Sequence, residues 1–293
     1  MAVPKLSRRA LVLGGLAAGV VVVGGVGEYA EVLPGGVQLH RLLGLTGGTG
    51  SVPDVPPATV TAHQVHSAAR GRMVNLVTMV PAGADPRDLP VCLVLHGRNN
   101  NAQGMVTLGL PRFLTAAVRA GMPPVALVAV DGGDSYWVAR TPADDPQRML
   151  TAELPGWLTE RGFATGVPAT VLAISMGCFG ALVYARGRVT GNPLRAMALL
   201  SPALFQNWTG ANGVHAFASE ARWAAYEPLR HLDQLPAALP LGIWCGREDP
   251  FYPAAAQLAA GTRPVLASFP HGQHDDDFWR RMLPAAVPFV GTR

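Results

Sequence analysis

The stretch that most constrains this chain is VLAISMGCFGALVYA, residues 171–185. A short apolar β-type run (Val171, Leu172, Ala173, Ile174) stops at Ser175, and a small-residue helix (Ala181, Leu182, Val183, Tyr184, Ala185) follows at once. Strand, one strained serine, helix is the layout of a nucleophile elbow. The chain must reverse within a residue or two, so the strand and helix backbones pass close together. Only small residues fit at the second position before and after the serine. Ala173 and Gly177 occupy those places. The usual motif has Gly at both, so Ala173 departs from it by one methyl. Such a turn lifts the Ser175 hydroxyl clear of the sheet. It also aims the first N–H groups of the helix at the same point, where their partial positive charge favours an oxyanion. Small-x-Ser-x-Gly also arises by chance around buried serines in ordinary loops, so the strand, the helix and the partner groups carry the argument.

The chain around this turn alternates. Residues 60–67 and 72–80 read as a hairpin about Arg70-Gly71. Residues 91–95, 125–130, 169–174, 196–200, 241–245 and 264–269 are apolar strand patterns, with helices expected over 104–120, 146–161, 176–187 and 253–260 and from near Asp275. This predicts an α/β fold with a mostly parallel sheet and helices on both faces, whose chemistry sits at the strand C-termini. Residues 203–240 form a polar-aromatic excursion with Phe205, Trp208, Phe217, Trp223 and Tyr226. It reads either as a cap or wall beside the site or as a surface helix pair anchored by its aromatics. The catalytic domain is expected over 60–293, with a Gly- and Pro-rich linker over 31–59.

Residues 5–27 read KLSRRALVLGGLAAGVVVVGGVG, a basic pair (Arg8, Arg9) ahead of a weakly apolar, Gly-rich run. That layout, over residues 1–30, is an export signal resembling the twin-arginine type. A membrane anchor with its basic end inside is the alternative. Either way the catalytic portion is expected outside the cytoplasmic membrane, in the cell envelope or secreted. The formal charge is +4, of which Lys5, Arg8 and Arg9 supply most, so no basic face for nucleic acid is expected. Three cysteines (Cys92, Cys178, Cys245) make no disulfide framework, and no Cys/His spacing suggests a metal. Cys178 reads as inert packing, with a reactive thiol as the alternative.

Three strand ends carry reactive groups in the order Ser, acid, His. Gly246-Arg247-Glu248-Asp249-Pro250 follows one strand and Pro270-His271-Gly272-Gln273-His274-Asp275 follows the last. A serine hydroxyl needs a base in reach, and the base needs an acid to fix its tautomer. Ser175, His274 and Asp249 supply these roles. Glu248 and His271 compete with Asp249 and His274, and Asp131 and Asp134 are rival acids. Asp275, Asp276 and Asp277 read as the acidic first turn of a helix, and Asn99 to Asn101 as turn residues.

From about residue 72 to 283 the chain resembles the putative-esterase branch of the α/β-hydrolase fold, which includes S-formylglutathione-hydrolase-like and feruloyl-type esterases and the antigen 85 mycolyltransferases. The similar features are His96-Gly97 after the third strand, Ser175-Met176-Gly177, Gly246-x-x-Asp249 and Gly272-x-His274, with Trp279 close behind. Two departures are Cys178, where many relatives have a second Gly, and Asp249, where the antigen 85 group uses a glutamate. By position, the resemblance implies the Met176 and Arg98 N–H groups as oxyanion donors. It also implies a substrate-side loop carrying Asp134, Tyr136 and Trp137. His96 is grouped with these substrate-side residues and reads as a loop-fixing hydrogen-bonder rather than a base. The implied activity is that of a serine esterase, with neither metal nor organic cofactor, acting on a small-molecule, lipid or sugar ester. The rivals are an acyltransferase to a sugar hydroxyl and a catalytically idle cell-envelope binding protein. Aromatic walls for an acceptor are sought in Trp208 and Trp223.

Overall fold

The computed structural model describes residues 47–188 and 192–293. The export signal and residues 31–46 of the expected linker lie outside the described residues. The remaining linker residues have no regular structure but are tied down. The Ala58 N–H donates to the Pro111 carbonyl, and the Arg112 guanidinium to that of Val55. The first strand already begins at Thr59.

Eight strands form one sheet: β1 (Thr59–Ser67), β2 (Arg72–Val80), β3 (Val91–Leu95), β4 (Ala126–Val130), β5 (Thr170–Ile174), β6 (Ala196–Leu200), β7 (Leu241–Trp244) and β8 (Leu266–Ser268). Their order is β1-β2-β4-β3-β5-β6-β7-β8. β1 and β2 pair antiparallel and β2 joins β4 antiparallel, while β4, β3, β5, β6, β7 and β8 run parallel. This is the mostly parallel sheet that the alternation predicts, in the α/β-hydrolase arrangement that the resemblance implies. β3 to β7 are buried along their whole length because helices cover both faces, which is why they read as unbroken apolar runs. After β3 the chain crosses to β4 on one side, and β5 then lies on the other side of β3. The loops leaving β3 and β5 therefore diverge and open a crevice at the strand C-termini. Leu95 pairs with Ala173, so the residues just beyond these ends, Gly97 and Ser175, meet there.

Three elements differ from the expected bounds. The helix expected over 104–120 is two, α1 (Ala102–Leu108) and α2 (Leu110–Arg119), broken at Gly109, whose φ of 110° ends the first turn series. Pro111, which has no N–H to give a preceding turn, sits in the first turn of α2. The helix expected over 146–161 is α3 (Pro146–Arg148), a π-helical segment (Met149–Glu153) and α4 (Leu154–Thr159). Pro155 removes one rung of the regular ladder there. The wider turn brings Glu153 to the hairpin, where its carboxylate accepts from Ser67 Oγ at 2.5 Å and from the Ala69 N–H at 2.7 Å. The last strand is only Leu266–Ser268.

The elbow helix α5 (Met176–Arg186) is followed, beyond β6, by the excursion, with short helices α6 (Trp208–Gly213) and α7 (Glu220–Tyr226). Then come α8 (Tyr252–Thr262) and the terminal helix α9 (Asp276–Gly291), whose Phe278, Leu283, Val287 and Val290 pack under the sheet. Phe205 and Phe217 of the excursion pack on Tyr136 and Phe179, and Trp223 is buried. The excursion is thus seated on the catalytic domain by an aromatic cluster.

Beside this cluster lies Glu227, fully buried. Its carboxylate accepts from Trp223 Nε1 at 2.8 Å and from the Phe205 and Leu229 N–H groups at 3.3 Å. Burial dominates and raises its pKa to about 7, while these donors and Arg230 pull the other way. A carboxyl raised in the folded state stabilises fully below its unfolded pKa, and that contribution is lost as the pH rises through the folded value. The protein should therefore lose stability between about pH 4.5 and pH 7, by on the order of 3 kcal/mol. Thermal melts across that range should show this slope in the parent and a flatter one in Glu227→Gln. Parallel slopes would contradict the assignment.

Candidate active site

Ser175 follows β5 directly with φ 56° and ψ −121°, a region that residues other than glycine rarely occupy. Such a conformation costs about 1–3 kcal/mol and persists only where the surroundings hold it. Three backbone bonds do so. The Ser175 N–H donates to Leu200 at 2.9 Å, and its carbonyl accepts from the N–H of Cys178 at 2.9 Å and of Ala203 at 3.2 Å. A Cβ on Gly177 would collide with the Leu95 carbonyl, so the small-residue requirement read from the sequence is a steric fact of the fold. Cys178, in place of a second glycine, is fully buried. Its thiol donates to the Ala173 and Leu200 carbonyls at 3.3 Å. Burial pushes its pKa well up, so it is a packing group and not a nucleophile.

The Ser175 hydroxyl lies 2.8 Å from His274 Nε2, and His274 Nδ1 lies 2.8 Å from an Asp249 carboxylate oxygen. An ionised carboxylate only accepts, so Nδ1 carries the proton, Nε2 is a lone-pair acceptor and the serine hydroxyl donates to it. The Asp249 side chain is wholly buried. Burial, the largest influence, opposes its charge. It is outweighed by His274, by the Phe251 N–H at 2.8 Å and by the Ser201 hydroxyl, so the Asp249 pKa is held below the usual carboxylate range. Phe251 and Trp279 flank the His274 ring, with centroids 5.1 and 5.4 Å away.

The acid loop and the histidine loop are stitched together. A Cβ on Gly246 would strike the Gly272 carbonyl, and the Arg247 and Glu248 N–H groups donate to Pro270 and Gly272. Glu248 does not reach His274. Its carboxylate takes His271 Nδ1 and the Gly272 N–H, each at 2.8 Å. His271 is exposed and paired away from Ser175. The competing acid and base of the sequence thus form a separate clamp beside the first pair.

Gly97 faces the serine: a Cβ there would stand 3.2 Å from Ser175 Cβ. The next peptide carries the Arg98 N–H. His96 fixes that peptide, with Nε2 accepting from the Gly132 N–H at 2.9 Å and Nδ1 lying 2.7 Å from the Gly97 carbonyl. Nδ1 must then be the donor. In a trans peptide C=O and N–H point oppositely, so the Arg98 N–H is turned away from His96. The Met176 N–H, at the first helical position, has no carbonyl in its own helix to bond. The Arg98 side chain is exposed.

Three substrate-side assignments are corrected. His96 and Trp137 are fully buried and Tyr136 is 2% exposed, so none presents a surface to a ligand. Trp137 instead donates from Nε1 to the His96 carbonyl at 3.2 Å, and Tyr136 packs among Phe179, Phe205 and Phe217. Asp134 accepts the Asn99 N–H at 2.7 Å, and Asp131 accepts from Asn75 and from the Ala102 N–H. These two hold the loop after β3, and neither approaches His274 as an acid. Trp223 is buried on Glu227 and offers no wall. Asp275 caps α9 through the Phe278 N–H, and Asn101 caps α1. Among the described residues no cluster of His, Cys, Asp and Glu could hold a metal.

Sequence reasoning did not find Ser201. It is fully buried, has φ 50°, and stands directly after the apolar run AMALL. A polar residue at a parallel-strand C-terminus was the available signal.

The model of the putative-esterase family matches residues 67–290. No curated protein matches the chain. Among solved structures, a ferulic acid esterase is similar with TM-score 0.66 at 16% identity, covering 80% of this chain and 98% of its own. An S-formylglutathione hydrolase from Agrobacterium tumefaciens gives 0.64 at 15% identity, over 81% and 96%. MPT51 of Mycobacterium tuberculosis gives 0.63 at 19% identity, over 80% and 99%.

The different partners of the two acidic residues make a sharp test of roles. Asp249→Asn should lower kcat on a p-nitrophenyl ester by orders of magnitude, because an amide favours the wrong histidine tautomer. Glu248→Gln should lower it less than tenfold. The reverse ranking would transfer the acid role to Glu248.

Proposed function

The chain belongs to the putative-esterase family and is an enzyme of the carboxylic-ester-hydrolase kind, and we propose that it is an exported serine esterase working through an acyl-enzyme on Ser175. The observation that carries this reading is the unbroken line of two 2.8 Å contacts, Ser175 Oγ to His274 Nε2 and His274 Nδ1 to Asp249.

In the proposed reaction His274 takes the Ser175 proton as Oγ attacks the ester carbonyl. The Asp249 carboxylate stabilises the imidazolium, and the Met176 and Arg98 N–H groups bind the developing oxyanion. Each such donor is worth about 3 kcal/mol of barrier. His274 then protonates the leaving alcohol. Water enters, gives its proton to His274, and attacks the acyl-enzyme to release the acid and free Ser175.

Water is proposed over a sugar as the acceptor, because the His274 side chain is 22% exposed and, of the two expected acceptor walls, Trp223 is buried and Trp208 is half-buried against it. A model ester incubated with and without high trehalose or glucose, with products weighed by mass spectrometry, should give free acid in both. Acylated sugar in excess of acid would make the enzyme a transferase.

Export is proposed from Arg8-Arg9 ahead of the Gly-rich apolar run. Changing both to Lys should trap a reporter fusion in the cytoplasm. Undiminished export of that double variant would contradict the twin-arginine route.

A further inference from the structure

At the end of the sheet away from Ser175, a cavity of about 440 Å³ opens between the β1–β2 ribbon and the chain that leads into β5. Met79 pairs with Leu127 near the start of β4, so Val80 and the cavity beside it lie at the N-terminal side of the parallel strands. The volume falls in the range of about 300–1,000 Å³ usual for small-molecule sites. Ser175, Asp249 and His274 take no part in its walls.

The ribbon builds one wall by strand alternation. Thr59, Thr61 and His63 share a face of β1, with Thr59 opposite Val80 and Thr61 opposite Thr78. Val80, Ala84 and Phe163 add apolar surface, and all three belong to the core on that face of the sheet. α4 ends at Thr159 and the chain reverses at Gly162, with φ 87°, which sets Arg161 and Phe163 on the cavity.

Arg161 is the guanidinium of this lining, and half of it is in use. Nη1 donates to the Trp157 carbonyl at 2.7 Å and stands 3.6 Å from the exposed Glu160 carboxylate. Nε is buried and has no hydrogen-bond partner. A buried donor without an acceptor is costly, and in a native fold it calls for a partner. Nε shares with Nη2 the edge of the guanidinium on which two N–H bonds run parallel, the pattern that matches the two oxygens of a carboxylate. His63 is half-buried, and its ring makes no hydrogen bond or ion pair among the described residues. In the adjoining recess Asp85 and Arg87 are paired with each other at 2.5 Å and leave Arg161 unopposed on that side.

We propose that this cavity is a non-catalytic binding site for an organic monocarboxylate whose apolar body is about the size of one ring. The carboxylate meets Nη2 of Arg161 and, with a small turn of the guanidinium, Nε. His63 and the Thr61 and Thr78 hydroxyls complete the polar rim. The apolar body lies on Val80, Ala84 and Phe163, surface that a compact anion such as phosphate would leave wet. The site does not depend on the serine-esterase reading, since no group of the triad borders it.

The test titrates the full chain with benzoate by calorimetry and follows the His63 ring signal by NMR, assigned with His63→Ala. Benzoate should bind at one such site with a Kd of about 1 mM or tighter and should shift the His63 signal. Benzyl alcohol keeps the ring without the charge, and acetate and inorganic phosphate keep the charge without the ring. Each should bind about tenfold more weakly or worse. Arg161→Gln should weaken benzoate by about tenfold or more. Arg161→Lys keeps a charge and a donor for Trp157 but loses the paired edge, and it should weaken benzoate severalfold, so the arginine is still tested if the glutamine variant does not fold. Ser175→Ala should bind benzoate as the parent does, which separates this site from the catalytic serine. A His63 signal unmoved by benzoate, undiminished binding in a folded Arg161 variant, or phosphate or benzyl alcohol binding as tightly as benzoate would each overturn the proposal.

Discussion

The structure depends on one close approach. The backbone of α5 enters so near the end of β3 that any side chain at Gly177 would overlap the Leu95 carbonyl. That contact lets the chain turn at Ser175 with φ 56° while its N–H and carbonyl stay tied to Leu200, Cys178 and Ala203. The strain is local, and the ladder bonds of neighbouring strands offset it. The sheet order then brings the loop after β3 to the same point, because β3 and β5 are neighbours from which the chain departs in opposite directions. A hydroxyl, a helix N-terminus and a fixed peptide converge there without any of them being free to move far.

The second requirement is electrostatic. Asp249 sits in a place where burial alone would favour its neutral form. It stays charged because donors from two loops reach it: His274 from the loop before the last helix and Phe251 from its own. A buried charge with several donors is rigid as well as stable, since losing one donor leaves the rest strained. Glu227 is the contrasting case. Its donors and Arg230 also favour the charged form, but burial wins. The first carboxylate serves the base, and the second ties the start of the excursion at Phe205 to its later part at Trp223 and Leu229.

Much of this was legible in the sequence, for physical reasons. Strands buried on both faces read as unbroken apolar runs, so the parallel core and its helices could be placed to within a few residues. Proline and glycine edited the helices: Gly109 split one, and Pro155 accompanies the π-helical turn in another. The order of Ser175, Asp249 and His274 along strand ends was legible because Ser175 follows an apolar run directly and Asp249 and His274 lie in the short polar loops after the last two runs. What was not legible was direction. Tyr136 and Trp137 lie in the expected loop, yet both have positive φ and turn inward, so they pack into the core instead of forming a wall of the site. His96 likewise turns into the protein, where two backbone partners hold it. Nor does sequence spacing reveal that Trp279 of the last helix reaches Ser201 just after β6, since that contact exists only after the sheet is assembled.

The central claim is that Ser175 is a nucleophile activated by His274. The most direct measurement is labelling of the purified protein with a fluorophosphonate probe, followed by peptide mass spectrometry to locate the adduct. The account predicts one phosphonylated residue, Ser175, and labelling that is nearly abolished in a folded His274→Ala variant. An adduct on another serine, or equal labelling of parent and His274→Ala, would contradict it.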